Sequence, residues 1–426
     1  MSVSNIQRQA SCADDDDYQS LSVEDARKHI FEKIKPIQEY EKLALREAIN
    51  RILAEDIISG TNVPGYTNSA MDGYALAGDD LPTESSRTYQ VIGTAFAGAP
   101  FSGTVASGQC VRIMTGGVMP AGSDTVVMQE HVERIDNMVR IGNGNCPGQN
   151  VRQAGEDIAK GSVVLQRGRR ITPADLGVTA SLGFGELSVQ RRPRVSFFSS
   201  GDELRSIGDG KGEALAKGEI YDSNRYSLYG MLHRLEVDIL DMGVIRDDPD
   251  SLREALEHAA NTSDMVITSG GVSVGEADYI KPILDDIGDI DFWKVAMKPG
   301  RPLTFGHIGD ALFFGLPGNP VSVMTTFYQF VQPAIHYIAS GSHEPVLTLQ
   351  AVCSTAIRKR PGRFEFQRGI LSLEDDGTLV VTKTGQQGSG LLTSMSQANC
   401  FILLAEDCSD VEAKATVTVQ PFSAFI

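Results

Sequence analysis

Positive charge is scarce in this chain. Its 426 residues carry 38 Lys and Arg against 55 Asp and Glu, a formal net charge of −17 at pH 7. A broad nucleic-acid surface needs concentrated positive charge, so no nucleic-acid partner is expected. Long apolar runs are missing too. No stretch approaches the roughly 20 residues that span a bilayer, so no membrane partner is expected either. The opening residues, MSVSNIQRQASCADDDDY, hold no apolar core of a secretory signal. The expectation is a cytoplasmic protein whose residues 1–20 form a disordered acidic tail around Asp14–Asp17. The six cysteines, Cys12, Cys110, Cys146, Cys353, Cys400 and Cys408, lack the close paired spacing of zinc sites and read as free thiols of a reducing compartment. No repeat of solenoid period is present. Neither a Walker P-loop nor a G-x-G-x-x-G fingerprint occurs, which sets aside the standard NTPase and dehydrogenase modes of nucleotide binding.

What is present is enough chain for two to four domains. Ser22 and Asp25 resemble a capping box, followed by Ala26, Ile30, Phe31 and Ile34 at helical spacing. A second helical pattern runs through Leu43–Leu53. From Asp56 to about Arg170, short alternating segments between glycine turns read as a β-rich region. Pro173 then opens another helix. After Pro193, strand patterns (Val195–Phe198, Val237–Met242, Met265–Thr268, Leu312–Gly315) alternate with helical ones (Asn224–Leu235, Ser251–Ala260, Tyr279–Asp286, Val321–Ile338). That alternation implies a parallel sheet covered on both faces. The last segment, from about Pro345, returns to short β runs and predicts a small barrel or sandwich.

Three strands of the α/β region end alike. Val195-Ser-Phe-Phe-Ser-Ser-Gly is followed by Asp202-Glu203, Met265-Val-Ile-Thr-Ser269-Gly270-Gly271 by Glu276 and Asp278, and Leu312-Phe-Phe-Gly-Leu by Pro317-Gly318-Asn319-Pro320. Ligands of open parallel sheets sit beyond the carboxyl ends of strands, so three glycine-marked ends suggest one crevice. Glycine lets the backbone approach a ligand, and free N–H groups favour an anion. Carboxylates beside an anion need a cation between them, and Glu203 and Asp278 are the expected oxygen ligands of Mg²⁺. Lys294 and Lys298, an even number apart in a strand, can face one side and with Arg301 form a positive edge. Asp247 or Asp248 is either a helix-start device or a site acid, whereas Asp250 reads as helix initiation. Asn68, Ser69 and Asp72 cluster at a turn, Thr115 ends a strand before two glycines, and Asp157 lies in a third turn. Near the C-terminus, Arg358, Lys359, Arg360, Arg363 and Arg368 make the strongest basic cluster, with Gly388-Ser389-Gly390 and Ser394 adding donors. Guanidinium groups match tetrahedral oxyanions, so an oxyanion site stands there beside plain surface charge balance.

These stretches, NSAMDGYA, RIMTGGVMPAGSDTVV, RQAGED, SSGDEL, SGGVSVGEADY, KPGRPLTFG, GLPGNPVSV, GRFEFQRG and GSGLLTSM, occur in an order that resembles the molybdopterin molybdenumtransferases, the family of bacterial MoeA and the C-terminal domain of gephyrin. The resemblance implies a multidomain α/β plus β protein: a bipartite, β-rich N-terminal and linker region at 21–190, a molybdopterin-binding, doubly wound α/β domain at 191–340 and a C-terminal β-barrel at 345–426. It implies a homodimer, in which the N-terminal region of one subunit could cover the crevice of the other. It implies conversion of adenylylated molybdopterin and molybdate to molybdenum cofactor, with release of AMP and help from Mg²⁺. Molybdopterin-pathway enzymes and recipient molybdoenzymes are the partners it suggests. The family's functional acids map onto Asp72, Asp157, Glu203, Asp247 and Asp278, its site threonine onto Thr115, its basic strand onto Lys294 and Lys298, and its C-terminal polar residues onto Arg363 and Ser389. Residues 206–218 read as an insertion. The rival readings are a molybdopterin adenylyltransferase, which shares the α/β domain alone, and a gephyrin-like scaffold that binds peptides.

Overall fold

The computed structural model describes residues 20–208, 214–270, 279–343 and 345–425. Two compact units emerge, one formed by the chain up to Glu39 together with everything from Gln190 on, the other by Tyr40–Val189.

The first unit is built on six strands: β1 Arg194–Ser200, β2 Asp238–Ile245, β3 Met265–Ser269, β4 Gly288–Lys294, β5 Pro302–Ile308 and β6 Ala311–Leu316. Their order across the sheet is β2-β1-β3-β6-β5-β4. The first four neighbours run parallel, as the alternating strand and helix patterns predict, while β5 and β4 turn back antiparallel at one edge. Helices α1 Val23–Lys33, α2 Ser223–His233, α3 Pro249–Thr262, α4 Ile280–Ile287, α5 Pro320–Thr326 and α6 Gln332–Ser340 cover it. The pleat sorts the strand residues by parity. Phe197, Ile267 and Phe314 join the core under α1, α2, α5 and α6, whereas Phe198, Val266 and Phe313 join the core under α3 and α4.

The expected single helix Val321–Ile338 is interrupted. A π-turn, Phe327–Val331, separates α5 from α6, and Pro333 lies in the first turn of α6. Proline has no N–H to give, which frees the carbonyl four residues back. That carbonyl, on Gln329, accepts from Arg27 Nε of α1 at 3.1 Å, and the Gln329 side chain bonds both Arg27 and Gln420. Gln329 is fully buried, so Gln329→Ala leaves the Gln420 amide unpaired. A loss of about 2 kcal/mol is expected, read as a lower denaturant midpoint at unchanged m-value.

Five strands of the C-terminal segment (Leu349–Cys353, Phe364–Leu373, Leu379–Lys383, Cys400–Leu404, Thr416–Pro421) close on themselves, because Phe364–Leu373 pairs with both Leu379–Lys383 and Cys400–Leu404. The choice between barrel and sandwich is thus a barrel. A short strand, Met297–Lys298, joins it by pairing with Phe364 and Glu365.

The second unit holds a six-stranded sheet, in order Thr125–Met128, Gly73–Leu76, Gln109–Ile113, Arg87–Ala95, Met138–Ile141 and Val132–Ile135. The helical pattern expected over Leu43–Leu53 is not a helix. Tyr40–Ala44 is extended, Leu45–Ala48 is one 3₁₀ turn, and Asn50 takes φ +62°. Ala48, Leu53 and Ile57 reach one core from this irregular path, where they meet Leu165. The helix opened by Pro173 is present as Pro173–Ser181, with Thr172 and Asp175 forming a reciprocal capping box.

Candidate active site

The carboxyl ends of β1, β3 and β6 meet at one edge of the α/β sheet, where Ser199 pairs with Ser269 and Ser269 with Leu316. The glycines there are required by geometry. Gly270 has φ +91°, and a Cβ on it would stand 2.6 Å from the Ser200 carbonyl oxygen. Gly201 lies under the Glu203 carboxylate, 2.7 Å from where its own Cβ would be.

Carboxylates gather beside these glycines. Asp247 has its pKa raised, first by burial and then by the charges of Asp202 and Glu203, with the Ser200 hydroxyl acting the other way. The choice left open by the sequence is resolved by position. Asp248 is the N-cap of α3, its side chain accepting from Ser251 N at 3.0 Å, and Asp247 is the acid facing Asp202 and Glu203. The cap is therefore Asp248 and not Asp250, because Pro249 occupies the first helical position. Among the described residues no three His, Cys, Asp or Glu side chains converge to hold a metal ion. Gly271, Glu276 and Asp278 lie outside the described residues.

Several buried polar atoms at this edge have no hydrogen-bond partner: Ser199 Oγ, Thr268 Oγ1, Asp222 Oδ2 and Asn224 Oδ1. Asp222 and Asn224 carry no site role in the sequence pattern, which starts this helix at Asn224, one residue after its observed first residue, Ser223. The Asp-Ser-Asn run is itself a cap signal, and Asp222 is indeed the N-cap of α2.

Lys294 and Lys298 do not share one strand face. Lys294 ends β4, whereas Lys298 belongs to the short barrel strand and pairs with Glu365 at 3.3 Å. The intervening Val295 bridges to Leu21, which breaks the continuous strand. Arg301 is half-buried just before β5. In the Pro317–Pro320 loop, Pro317 is buried, Gly318 and Asn319 are exposed, and Pro320 opens α5. The adjoining Val321 N–H donates to the Ser389 carbonyl at 3.0 Å, so the loop carrying Ser389 seats on the start of α5.

The five-membered basic cluster divides. Lys359 is buried, its Nζ donating to the carbonyls of Arg360, Glu406 and Cys408. Arg368 is buried at 1% exposure, with Nε on Ser394 Oγ and Nη2 on the Gly388 carbonyl, both at 3.0 Å. These two cations are internal supports. Arg358 and Arg360 are exposed, and Arg363 is half-buried beside the Phe364 amide that donates to Ala296 O.

In the second unit, Asn68 and Ser69 pair with Arg152 and Val151, so NSAMDGYA and RQAGED spring from one short ladder. Asp157 sits exposed in the latter turn, its N–H donating to Val63 O. Asp72 Oδ1 accepts from Thr115 N at 2.7 Å and Thr115 Oγ1 at 2.8 Å. These two bonds, the backbone one first, hold the Asp72 carboxyl below its ordinary range. Thr115→Val removes the hydroxyl and keeps the N–H. Asp72 is then expected to titrate at higher pH than in the wild type, though still below a free aspartate, as read by carboxyl-carbon NMR.

Three family models match successive parts of the chain: "MoeA N-terminal region (domain I and II)" over residues 21–183, "Probable molybdopterin binding domain" over 197–337 and "MoeA C-terminal region (domain IV)" over 350–422. The chain is 42% identical over 405 residues to the molybdopterin molybdenumtransferase of Haemophilus influenzae, covering 95% of this chain and 99% of that one. It is 33% identical to gephyrin of Dictyostelium discoideum, covering 94% of this chain and 62% of gephyrin. A crystal structure of the molybdopterin biosynthesis moeA protein from Pyrococcus horikoshii superposes with TM-score 0.83 at 28% identity, over 95% of this chain and all of that one.

Proposed function

The chain belongs to the molybdopterin molybdenumtransferase family, and on that premise we infer that it converts adenylylated molybdopterin and molybdate into molybdenum cofactor, with release of AMP. The observation that carries this reading is the coincidence, at the carboxyl edge of one sheet, of glycine-shaped loops, unpaired buried polar atoms and a crowd of carboxylates. The loops at Ser269-Gly270 and Pro317–Pro320 receive the pterin and its pyrophosphate. Lys294, Lys298 and Arg301 add positive charge toward the phosphates, Lys298 shared with Glu365. Arg363 and Ser389 border the molybdate side, and Asp72, Thr115 and Asp157 are the functional residues we assign within the second unit.

The carboxylates suit a hard divalent cation. Asp247 is held up in part by Asp202 and Glu203, the repulsion that such a cation relieves, and its ligands would all be oxygen. Glu203 and Asp247, with Asp278 from outside the described residues, are the groups we assign to Mg²⁺, which when bound polarises a phosphoryl oxygen. The protein's own part is to orient the pyrophosphate and to present these carboxylates together at the sheet edge. A homodimer in the cytoplasm is the working state we propose, and no described helix is long and apolar enough to cross a membrane.

An exchange of substrates tests the reading. Adenylylated molybdopterin plus molybdate should yield AMP, whereas molybdopterin plus ATP should yield no pyrophosphate. The opposite pattern would make the chain an adenylyltransferase, and peptide capture without either turnover would make it a scaffold.

A further inference from the structure

We propose that Asn224 is a positioning residue for the substrate, setting the gap between Ser269 at the end of β3 and the loop after β6. The proposal rests on the crevice being the substrate site. Asn224 stands in the first turn of α2, one residue past Ser223 at its start. Its Nδ2 donates to Ser269 Oγ at 2.9 Å and to the Gly318 carbonyl at 2.7 Å. Ser269 ends β3, and Gly318 lies two residues beyond the end of β6. The backbone ladder between these strands runs to Ser269 and Leu316, with Gly270 N still donating to Leu316 O at 3.2 Å. Asn224 continues that register past the sheet, where the chain has left strand geometry. One amide thus ties the end of β3 to the loop after β6.

The anchor behind it is rigid. Leu228 and Leu232 of α2 are fully buried, in the same core as Val321 and Val323 of α5. The orientation of the amide is also determined. Turning it over would set Oδ1 against the Gly318 carbonyl, two acceptors face to face, while Nδ2 has hydrogens for both present partners. The other face, Oδ1, is buried with no partner, as are Asp222 Oδ2 and Ser199 Oγ. By pleat parity Ser199 and Ser269 share the α2 face of the sheet. Aspartate has the shape of asparagine but no N–H, so Asn224→Asp opposes a carboxylate to the Gly318 carbonyl and opens the clamp without changing volume.

The test compares wild type, Asn224→Asp and a control, Asp264→Asn. Asp264 accepts from Arg191 and from Arg194 N at the opposite end of β3, so its loss costs stability far from the loops. Wild-type turnover of adenylylated molybdopterin is measured first, and its absence would sink the functional reading and not the clamp geometry. Given turnover, Asn224→Asp is expected to raise KM and the Kd of the non-turnover complex about tenfold, with kcat within about twofold. Asp264→Asn should lower Tm with KM unchanged. Equal KM in wild type and Asn224→Asp would overturn the proposal, as would an equal KM rise in Asp264→Asn. Should Asn224→Asp not fold, Ser269→Ala takes its place. It removes one of the two acceptors and is expected to weaken binding about threefold. Unchanged binding there would contradict the clamp.

Discussion

Asp247→Asn is expected to stabilise the protein while lowering turnover by about 10²–10³-fold. The two effects have one origin. Burial and the neighbouring charges of Asp202 and Glu203 raise the pKa of Asp247 in the folded state. A carboxyl raised on folding binds more protons in the native than in the unfolded chain, so stability falls as pH rises from the unfolded pKa through the folded one. That penalty grows as pH rises through the folded pKa, and asparagine removes it. Asparagine also removes the carboxylate that we assign to the cation. Thermal melts from pH 4 to pH 7 should therefore show the variant gaining on wild type as pH rises, and meeting it at the acid end. A variant less stable than wild type at pH 7 would mean that Asp247 is a structural acid.

Arg368→Ala is expected to cost about 3 kcal/mol or more, the largest stability loss of any single change considered. Arg368 is buried on the outer face of the barrel, and burial lowers its pKa to about 10, so it stays charged at pH 7. For a base the sign is opposite to that of Asp247: the cost of charging it is present below pH 10 and fades only above it. Its two side-chain bonds, to Ser394 Oγ and Gly388 O, offset that cost and fix the loop that carries Ser389. Alanine leaves a cavity and two unpaired groups, whereas methionine restores volume and removes the buried charge, so Arg368→Met should be the milder change. Denaturant unfolding of the two variants decides it, and equal destabilisation would show that packing contributes little.

Much of the crevice was legible because it is made of local signals. The run at Met265–Thr268 ends in glycines, and the strand is Met265–Ser269. Pro173 with Thr172 before it announced a helix, and the helix begins there. What stayed hidden depends on partners distant in sequence. Lys359 and Arg368 read as either an oxyanion site or surface charge, since nothing local tells that their polar ends are taken up by Glu406 O and Ser394 Oγ. The parity of Lys294 and Lys298 assumed one strand, but the barrel draws Met297–Lys298 onto Phe364 and Glu365. Pro333 was visible, yet a continuous helix was expected because Arg27, about three hundred residues earlier, supplies the donor that makes the interruption tolerable. The acids followed both rules. Asp248 could be read as a cap from Pro249 alone, whereas Asp247 meets Asp202 and Glu203 only once β1 and β2 are neighbours.

The most direct measurement is the stoichiometry of one turnover. Protein loaded with adenylylated molybdopterin is mixed with molybdate and Mg²⁺, and AMP and protein-bound molybdenum are counted in the same sample. One AMP per molybdenum, lost on chelation and in Glu203→Gln, is the predicted result. AMP released at the same rate without molybdate, or unaffected by chelator, would contradict the assignment of that carboxylate edge.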